Sequence, residues 1–170
     1  MPADRDKPRL DPLCEIERAV AEGLVEGCSI VRQDLAALDL DGVRFLGVDL
    51  VEVGLGGAHA DGAILAGCRL SGAVLRGARM AGARFTDTTL SGCDCIEASF
   101  AGAALAGVRF EESACNNARF NRGPLSGVVF AASDLFGARF DEAVLVRTRF
   151  ANARLGNAVL NRAAFVRAVL

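Results

Sequence analysis

The chain has 170 residues and a formal net charge of −2, and 52% of its residues are apolar and 24% charged. This length fits one domain, the apolar fraction excludes a disordered chain, and no uncharged apolar run is long enough to predict a transmembrane helix. The composition is uneven, with 19 glycines and 10 phenylalanines but neither tryptophan nor tyrosine. Such a bias indicates a repeated plan.

The first ten residues are polar, include Pro2 and Pro8, and lack the apolar stretch of a secretory signal. We therefore expect a cytoplasmic protein whose six cysteines are reduced thiols. We divide the chain into a flexible N-terminus with a capping helix, residues 1–24, and one repeat domain, residues 25–170.

Residues 11–23 have the signals of one short helix. Asp11 is a suitable N-cap, Pro12 suits the first helical position and Gly23 suits the C-terminal stop. The apolar stripe of this helix comprises Leu13, Ile16, Val20 and Leu24. The repeat that follows predicts a solenoid, whose terminal coil exposes core and unpaired backbone. We interpret the helix as a cap for that coil; the alternative is a helix that binds a partner.

From Ile30 to Leu170, every fifth residue is large and apolar. Of these 29 positions, 26 hold Leu, Ile, Met or Phe, and the exceptions are Ala60, Cys95 and Cys115. A second series, two residues earlier, holds small residues or valine at 27 of 29 positions, and the 58 positions together contain no charged residue. Thirteen glycines lie two residues after a position of the first series. The register holds over the whole span.

Neither a helix nor a flat strand explains a period of five. Five residues turn an α-helix by about 500°, so the large residues would circle its axis. A flat strand needs a period of two. A chain that bends once in five residues points the large residue and the small one inward, with glycine near the turn. The spacing therefore predicts short extended sides joined by tight turns and stacked coil on coil, which is a solenoid.

The repeat resembles that of the pentapeptide repeat family over about residues 26–170. Clear examples are Ala73-Val-Leu-Arg-Gly77, Ala118-Arg-Phe-Asn-Arg122, Ser133-Asp-Leu-Phe-Gly137 and Ala138-Arg-Phe-Asp-Glu142. The resemblance implies an all-β fold, a right-handed four-sided β-helix of about seven coils with four pentapeptides in each. The chain departs from the family motif before the large residue, where Arg is more frequent than Asp.

Two features along the repeat stand out. The stretch Gly54–Gly62 is the weakest coil, because Ala60 leaves it without a large central residue, and we expect a bulge, a kink or a mobile spot there. At the other end the repeat continues to the last residue, and Phe165, Val166, Val169 and Leu170 are the candidate end-to-end contact. Either this end pairs with another copy or a following segment is missing; we favour end-to-end self-association into a homo-oligomer.

Four sides place residues 20 apart in one column, so outward residues can be sorted by side. The side centred on 45, 65, 85, 105, 125, 145 and 165 is unusually apolar. Its candidate protein-binding residues are Leu46, Ile64, Ala66, Pro124, Val144 and Val146. The alternative is neutral drift among small apolar residues. Charge also varies along the axis, from −4 over residues 26–97 to +4 over residues 98–170.

No catalytic or metal-binding constellation is predicted. His59 is the only histidine and points outward, so no histidine pair exists for a metal. Five of the six cysteines fall in inward positions, where cysteine acts as a small hydrophobe. Cys95 and Cys115 share a column, and whether they pair stays open. We expect no cofactor, small-molecule substrate, nucleic acid or membrane as a partner.

Two functions remain from this reading, and neither is enzymatic. The first is a rod-like scaffold or adaptor that binds an unidentified protein and self-associates. The second comes from the resemblance: the quinolone-resistance members of the family mimic DNA and bind type II topoisomerases. DNA mimicry needs a strongly anionic surface, whereas the repeat region here has no net charge. We favour the scaffold.

Overall fold

A computed structural model describes residues 7–10 and 13–170, which form one helix and a parallel β-solenoid of about seven turns. The helix is α1 (Leu13–Ala21), and the strands are numbered in chain order. One sheet has eight strands: β1 (Leu24–Glu26), β3 (Arg44–Leu46), β5 (Ile64–Ala66), β7 (Arg84–Thr86), β9 (Ala104–Ala106), β11 (Pro124–Ser126), β13 (Val144–Val146) and β14 (Ala164–Val166). The other has six: β2 (Ser29–Val31), β4 (Asp49–Val51), β6 (Arg69–Ser71), β8 (Thr89–Ser91), β10 (Arg109–Glu111) and β12 (Val129–Ala131).

Residues 20 apart pair along the whole solenoid. In the eight-stranded sheet Phe45 is in register with Leu65, and in the six-stranded sheet Leu50 is in register with Leu70. The other two sides are joined by single parallel bridges, such as the one between Asp94 and Ala114. A coil therefore contains four pentapeptides, which confirms the four-sided solenoid that the resemblance to the pentapeptide repeat family implied.

The interior consists of columns of stacked side chains, and phenylalanine fills two of them. Phe100, Phe120 and Phe140 stack with ring centroids 5.1 Å apart. The facing column contains Phe110 and Phe130, 5.0 Å apart, and Phe120 meets both of these rings edge to face at 5.5 and 5.3 Å. Edge-to-face and offset arrangements are the favourable ones for aromatic rings. The two columns therefore interlock across the narrow core.

The turns depend on a left-handed residue at one position of each pentapeptide. From Gly27 to Arg167, every fifth residue except Ala37 has a φ between 48° and 70°. Glycine adopts this conformation without strain, and the sequence predicted glycine there. Half of these positions nevertheless hold other residues, such as Glu52 and Ala132, both with φ 52°. Solenoid packing and hydrogen bonds between coils hold those residues in a conformation that costs about 1–2 kcal/mol for an L-residue.

Hydroxyl and thiol groups in the small inward positions satisfy carbonyl groups at the corners. The Thr88 hydroxyl donates to the Leu65 and Thr86 carbonyls, each at 3.1 Å. Ser133 donates in the same way to the Phe110 carbonyl at 3.0 Å. Thr148, Ser113, Cys68 and Cys93 repeat this pattern. Buried polar side chains thus lie in the core without an unsatisfied group among the described residues.

The N-terminal end of the solenoid is covered by α1 and by an added strand segment. Ile16 and Val20 are buried in the core, as predicted for a capping helix. Gly23 ends the helix with φ 76° and donates to the Val20 carbonyl at 2.9 Å. The proposed stripe was wrong in two places, because Leu13 is 37% exposed and Leu24 belongs to β1. The predicted cap residues Asp11 and Pro12 lie outside the described residues.

The added segment extends the six-stranded sheet at its first strand. The Leu10 amide donates to the Ser29 carbonyl at 3.0 Å, and the Ser29 amide donates to the Pro8 carbonyl at 2.8 Å. Beside it, the buried Asp49 carboxylate accepts a hydrogen bond from the Lys7 ammonium at 2.8 Å. A buried carboxylate needs such a partner, so this pair fixes the segment against the first coil.

The coil around Ala60 is regular, so the expected bulge or kink was wrong. The Leu40 amide donates to the His59 carbonyl at 2.9 Å, and the Ala60 amide donates to the Arg79 carbonyl at 2.8 Å. Ala60 is buried. The backbone ladder sets the path of the chain here, and a small side chain in one inward position does not break it.

We predict that replacing Phe120 by alanine destabilises the protein by about 3–5 kcal/mol, because it leaves a cavity where two phenylalanine columns interlock. The measurement is chemical denaturation followed by far-ultraviolet circular dichroism. Phe136→Ala is the matched control, since Phe136 lies outside the repeat positions and is 46% exposed. A loss of less than about 1 kcal/mol is expected for it. Equal losses in the two variants would contradict the interlocked core.

Candidate interaction surfaces

The outer surface of the eight-stranded sheet carries two rows of side chains, which we call the apolar face. The strand pairing places Leu46, Ala66, Thr86 and Ala106 in one row, which continues through Ser126, Val146 and Val166. The second row runs through Arg44, Ile64, Arg84 and Ala104 to Pro124, Val144 and Ala164. All six predicted face residues therefore lie on this one surface.

These six residues differ in exposure along the rod. Leu46, Ile64 and Ala66 are half-buried. Arg44 and Arg84 flank Ile64 in the second row and interrupt the apolar surface there. Pro124 and Val144 are exposed and Val146 is half-buried. From Ala104 onward neither row contains a charged residue. The apolar face is thus continuous only in the C-terminal half of the solenoid.

Pro124 leaves a gap in the ladder of this face. The pairing of β11 with β9 begins at Leu125 and Leu105, whereas the neighbouring strands pair over three residues. Proline has no backbone N–H to donate. Gly123 precedes it, and a Cβ on that glycine would collide with the Ala103 carbonyl. The backbone of the two coils therefore approaches closely just before Pro124.

We call the last coil, residues 151–170, the terminal coil; its Phe165 and Leu170 occupy inward positions that the preceding coil buries at Leu145 and Phe150. Phe165 is 43% exposed, Val166 48%, Val169 60% and Leu170 71%. These are the four residues predicted as an end-to-end contact. The structure places them together at the C-terminal end of the rod.

Backbone amides also point off this end. In the preceding coil the Arg147 amide donates to the Val166 carbonyl at 2.8 Å, and the Glu142 amide donates to the Asn161 carbonyl at 2.9 Å. The equivalent amides of the terminal coil have no acceptor among residues 7–10 and 13–170. They belong to Asn152, Leu155, Asn157, Leu160, Arg162 and Arg167. An open row of donors of this kind is a template for pairing with another strand.

Arginines in the C-terminal half fall into paired and unpaired groups. Arg139 contacts Asp141 at 2.9 Å, and Arg109, Arg122 and Arg154 contact acidic side chains at 3.4–3.6 Å. Within the part of the chain that the structure describes, five other arginines make no ion pair or side-chain hydrogen bond. They are Arg119, Arg147, Arg149, Arg162 and Arg167.

The cysteines inside the coils are unsuited to nucleophilic chemistry. Cys28, Cys68, Cys93, Cys95 and Cys115 are all buried, as predicted, and all six cysteines are free thiols. Burial raises the pKa of the Cys93 thiol to about 12. A hydrogen bond with Cys115 and burial together raise the pKa of Cys95. Because the thiolate is the reactive form, these groups act as packing residues at neutral pH.

The described residues contain no other chemical centre. His59 is exposed, as predicted. No group of three potential metal ligands converges within residues 7–10 and 13–170. In the same part of the chain, no helix has the length and apolar character needed to cross a membrane.

Two structural features were not found from the sequence. Asp49 occupies an outward position of the repeat yet is fully buried, because Lys7 and the added N-terminal segment cover it. The sequence contains one signal for this site, because Asp49 is followed 20 residues later by a basic residue, Arg69. In the structure the Arg69 guanidinium lies 3.8 Å from the Asp49 carboxylate. The added segment had no signal, since residues 7–10 do not follow the repeat.

Comparisons with known proteins agree with this geometry. The family model for pentapeptide repeats matches eight copies, over residues 55–92, 90–130, 124–162 and 133–170. No curated protein matches the chain. Among solved structures, HetL from the cyanobacterium Nostoc sp. strain PCC 7120 is 19% identical, with a TM-score of 0.51 over 94% of this chain and 97% of HetL.

Two further solved structures are more distant in shape. QnrB1, a plasmid-mediated fluoroquinolone resistance protein, is 19% identical, with a TM-score of 0.43 over 82% of this chain and 83% of QnrB1. A pentapeptide repeat protein from the thylakoid lumen of Arabidopsis thaliana is 27% identical, with a TM-score of 0.44 over 62% of this chain and 66% of that protein. The repeat register, the four-sided coil and the match of the family model over residues 55–170 show that this chain belongs to the pentapeptide repeat family.

Proposed function

We propose that this protein is a non-enzymatic scaffold or adaptor that binds another protein through its apolar face. The observation that carries the proposal is the uncharged double row from Ala104 to Val166 on the eight-stranded sheet. Contiguous exposed apolar surface on a solenoid is typical of protein-binding sites. Leu46, Ile64 and Ala66 extend the same surface toward the N-terminal end.

We further propose that two copies associate through their terminal coils. Phe165 and Leu170 expose apolar area there, and unpaired amides such as that of Arg162 need acceptors. At the opposite end, α1 and residues 8–10 cover the first coil, which opposes head-to-tail stacking. A two-fold contact uses the same surface on both copies and makes a closed dimer. The two-fold axis reverses the strand direction of one copy, so the strands of the two terminal coils that face each other are antiparallel.

The proposal includes a reducing compartment such as the cytoplasm. All six cysteines are free thiols, including the stacked pair Cys95 and Cys115. Structural disulfides are rare where thiols are kept reduced. The cysteines in this protein instead fill small interior positions.

The surface charge does not favour the alternative function, a DNA-mimicking regulator of a type II topoisomerase. Such a mimic needs an anionic surface along the rod. Here residues 98–170 carry nine arginines and five acidic residues, and Arg119 and Arg139 are neighbours on the same side. These positive charges oppose binding to a surface that is built for DNA.

For the apolar face, we predict that the triple variant Leu46→Glu, Ile64→Glu and Val146→Glu loses its protein partner. Charges on the face must be desolvated by the partner, so recovery of the cross-linked partner from the native host should fall about tenfold or more. The matched control is Val31→Glu, Val51→Glu and Val129→Glu, which places three half-buried charges on the other sheet. Unchanged binding and assembly in the first triple variant would refute a functional face.

For the terminal coil, we predict a concentration-dependent dimer at micromolar protein in light scattering after size exclusion. Val169→Asp together with Leu170→Asp should give a monomer, because it buries two carboxylates in the contact. Val74→Asp is the control, since Val74 is 43% exposed and lies far from the terminal coil. A wild-type protein that is only monomeric would rule out self-association.

For the topoisomerase alternative, we predict that the protein fails to protect DNA gyrase from a fluoroquinolone in a supercoiling assay. QnrB1 serves as the positive control. Protection that increases with the concentration of this protein would favour the alternative over the scaffold.

A further inference from the structure

Three unpaired arginines lie together where the apolar face meets the six-stranded sheet. Arg147 directly follows Val146 of β13, and Arg167 directly follows Val166 of β14. Arg149 lies two residues beyond Arg147 and bridges to Val129 and Val169. We call Arg147, Arg149 and Arg167 the arginine corner. All three are exposed, and none has an ion pair or side-chain hydrogen bond within the described residues.

The corner is crowded with like charge. Arg147 and Arg167 are stacked in register, so their Cα atoms are about 4.8 Å apart, the distance between paired strands. Both follow paired strand residues at equivalent positions of successive coils. Like charges held this close repel each other. An anionic partner would remove that repulsion and gain charge-assisted hydrogen bonds.

Among residues 7–10 and 13–170, no side-chain carboxylate lies near the corner in its own column. Its column toward the N-terminus contains Gly127 and Gly107 and then Asp87, three coils away and therefore roughly 14 Å distant. The acidic residues of the last coils lie on other sides, where they already contact arginines, as Asp141 contacts Arg139 and Asp134 contacts Arg154.

The corner borders the part of the apolar face that contains no charge. Pro124, Val144 and Val146 form its centre, and Arg147 continues directly from it. In the N-terminal half, by contrast, Arg44 and Arg84 interrupt the face, and Asp87 occupies the corner column. An apolar centre with a positive rim on one edge occurs only in the C-terminal half of the described solenoid.

We propose that the C-terminal half of the apolar face binds an acidic protein segment, whose apolar side chains cover Pro124, Val144 and Val146 and whose carboxylates pair with the arginine corner. This inference rests on the proposed function and names the chemistry of the partner. Complementary charge at a rim mainly raises the association rate and selects the partner. The apolar centre supplies the buried contact.

The test uses fluorescence anisotropy with the full chain and a short labelled peptide rich in glutamate and leucine. We expect saturable binding that weakens as salt is raised, and binding at least about tenfold weaker for the same peptide with glutamine in place of glutamate. Arg147→Gln with Arg167→Gln should weaken binding about tenfold at low salt and flatten the salt dependence. Arg119→Gln with Arg162→Gln removes two unpaired arginines from another side and should change affinity less than about twofold.

The outcomes separate this inference from the proposed function. Val144→Asn with Val146→Asn tests the face itself. If it abolishes binding while the Arg147 and Arg167 variant binds normally, the face stands and the acidic partner is wrong. If both arginine double variants lose the same affinity for the peptide, the effect is one of net charge, and the arginine corner is not the binding site. If a DNA duplex displaces the peptide and this displacement depends on Arg147 and Arg167, the corner binds nucleic acid, and the proposal of an acidic protein partner is also wrong. Without saturable peptide binding, the inference fails.

Discussion

The hydrogen bonds between successive coils are the constraint on which the rest of the structure depends. Each strand is only three residues long, too short to be stable by itself, and it is held by bonds to the coils before and after it. Those bonds pair residues 20 apart, so every residue meets its counterpart in the next coil. The regular backbone at Ala60 shows how strongly the ladder dominates, because it continues where alanine replaces the large inward residue of the repeat.

The same register arranges the side chains inside and outside. Inside, it stacks Phe120 between Phe100 and Phe140 and lets Thr88 reach a carbonyl of the preceding coil. Outside, it brings alanine, valine and proline residues that lie 20 positions apart in the sequence into the two uncharged rows of the apolar face. It also holds Arg147 beside Arg167 at the spacing of paired strands, although their charges repel. The candidate surface is therefore a direct product of the coil length.

The two ends of the rod differ physically, and this difference shapes the proposed assembly. At the N-terminal end α1 buries Ile16 and Val20, and Lys7 neutralises Asp49. At the other end the terminal coil leaves Phe165 and several amides uncovered. A covered end and an open end favour a closed pair over a growing filament.

The strict period of five in the sequence determined the solenoid class and the inward positions, and the resemblance to the pentapeptide repeat family added the four sides that sort outward residues into columns 20 apart. It also grouped the six residues of the apolar face on one side and the four residues at the C-terminal end, and their roles as contacts stay predictions. Only the tertiary structure decided the surroundings of Asp49, the exposure of Leu13, the pairing of residues 8–10 with β2 and the regular path at Ala60. It also decided which arginines find carboxylates. Those features depend on contacts between segments that share no period, and on a backbone ladder that outweighs the size of a single side chain.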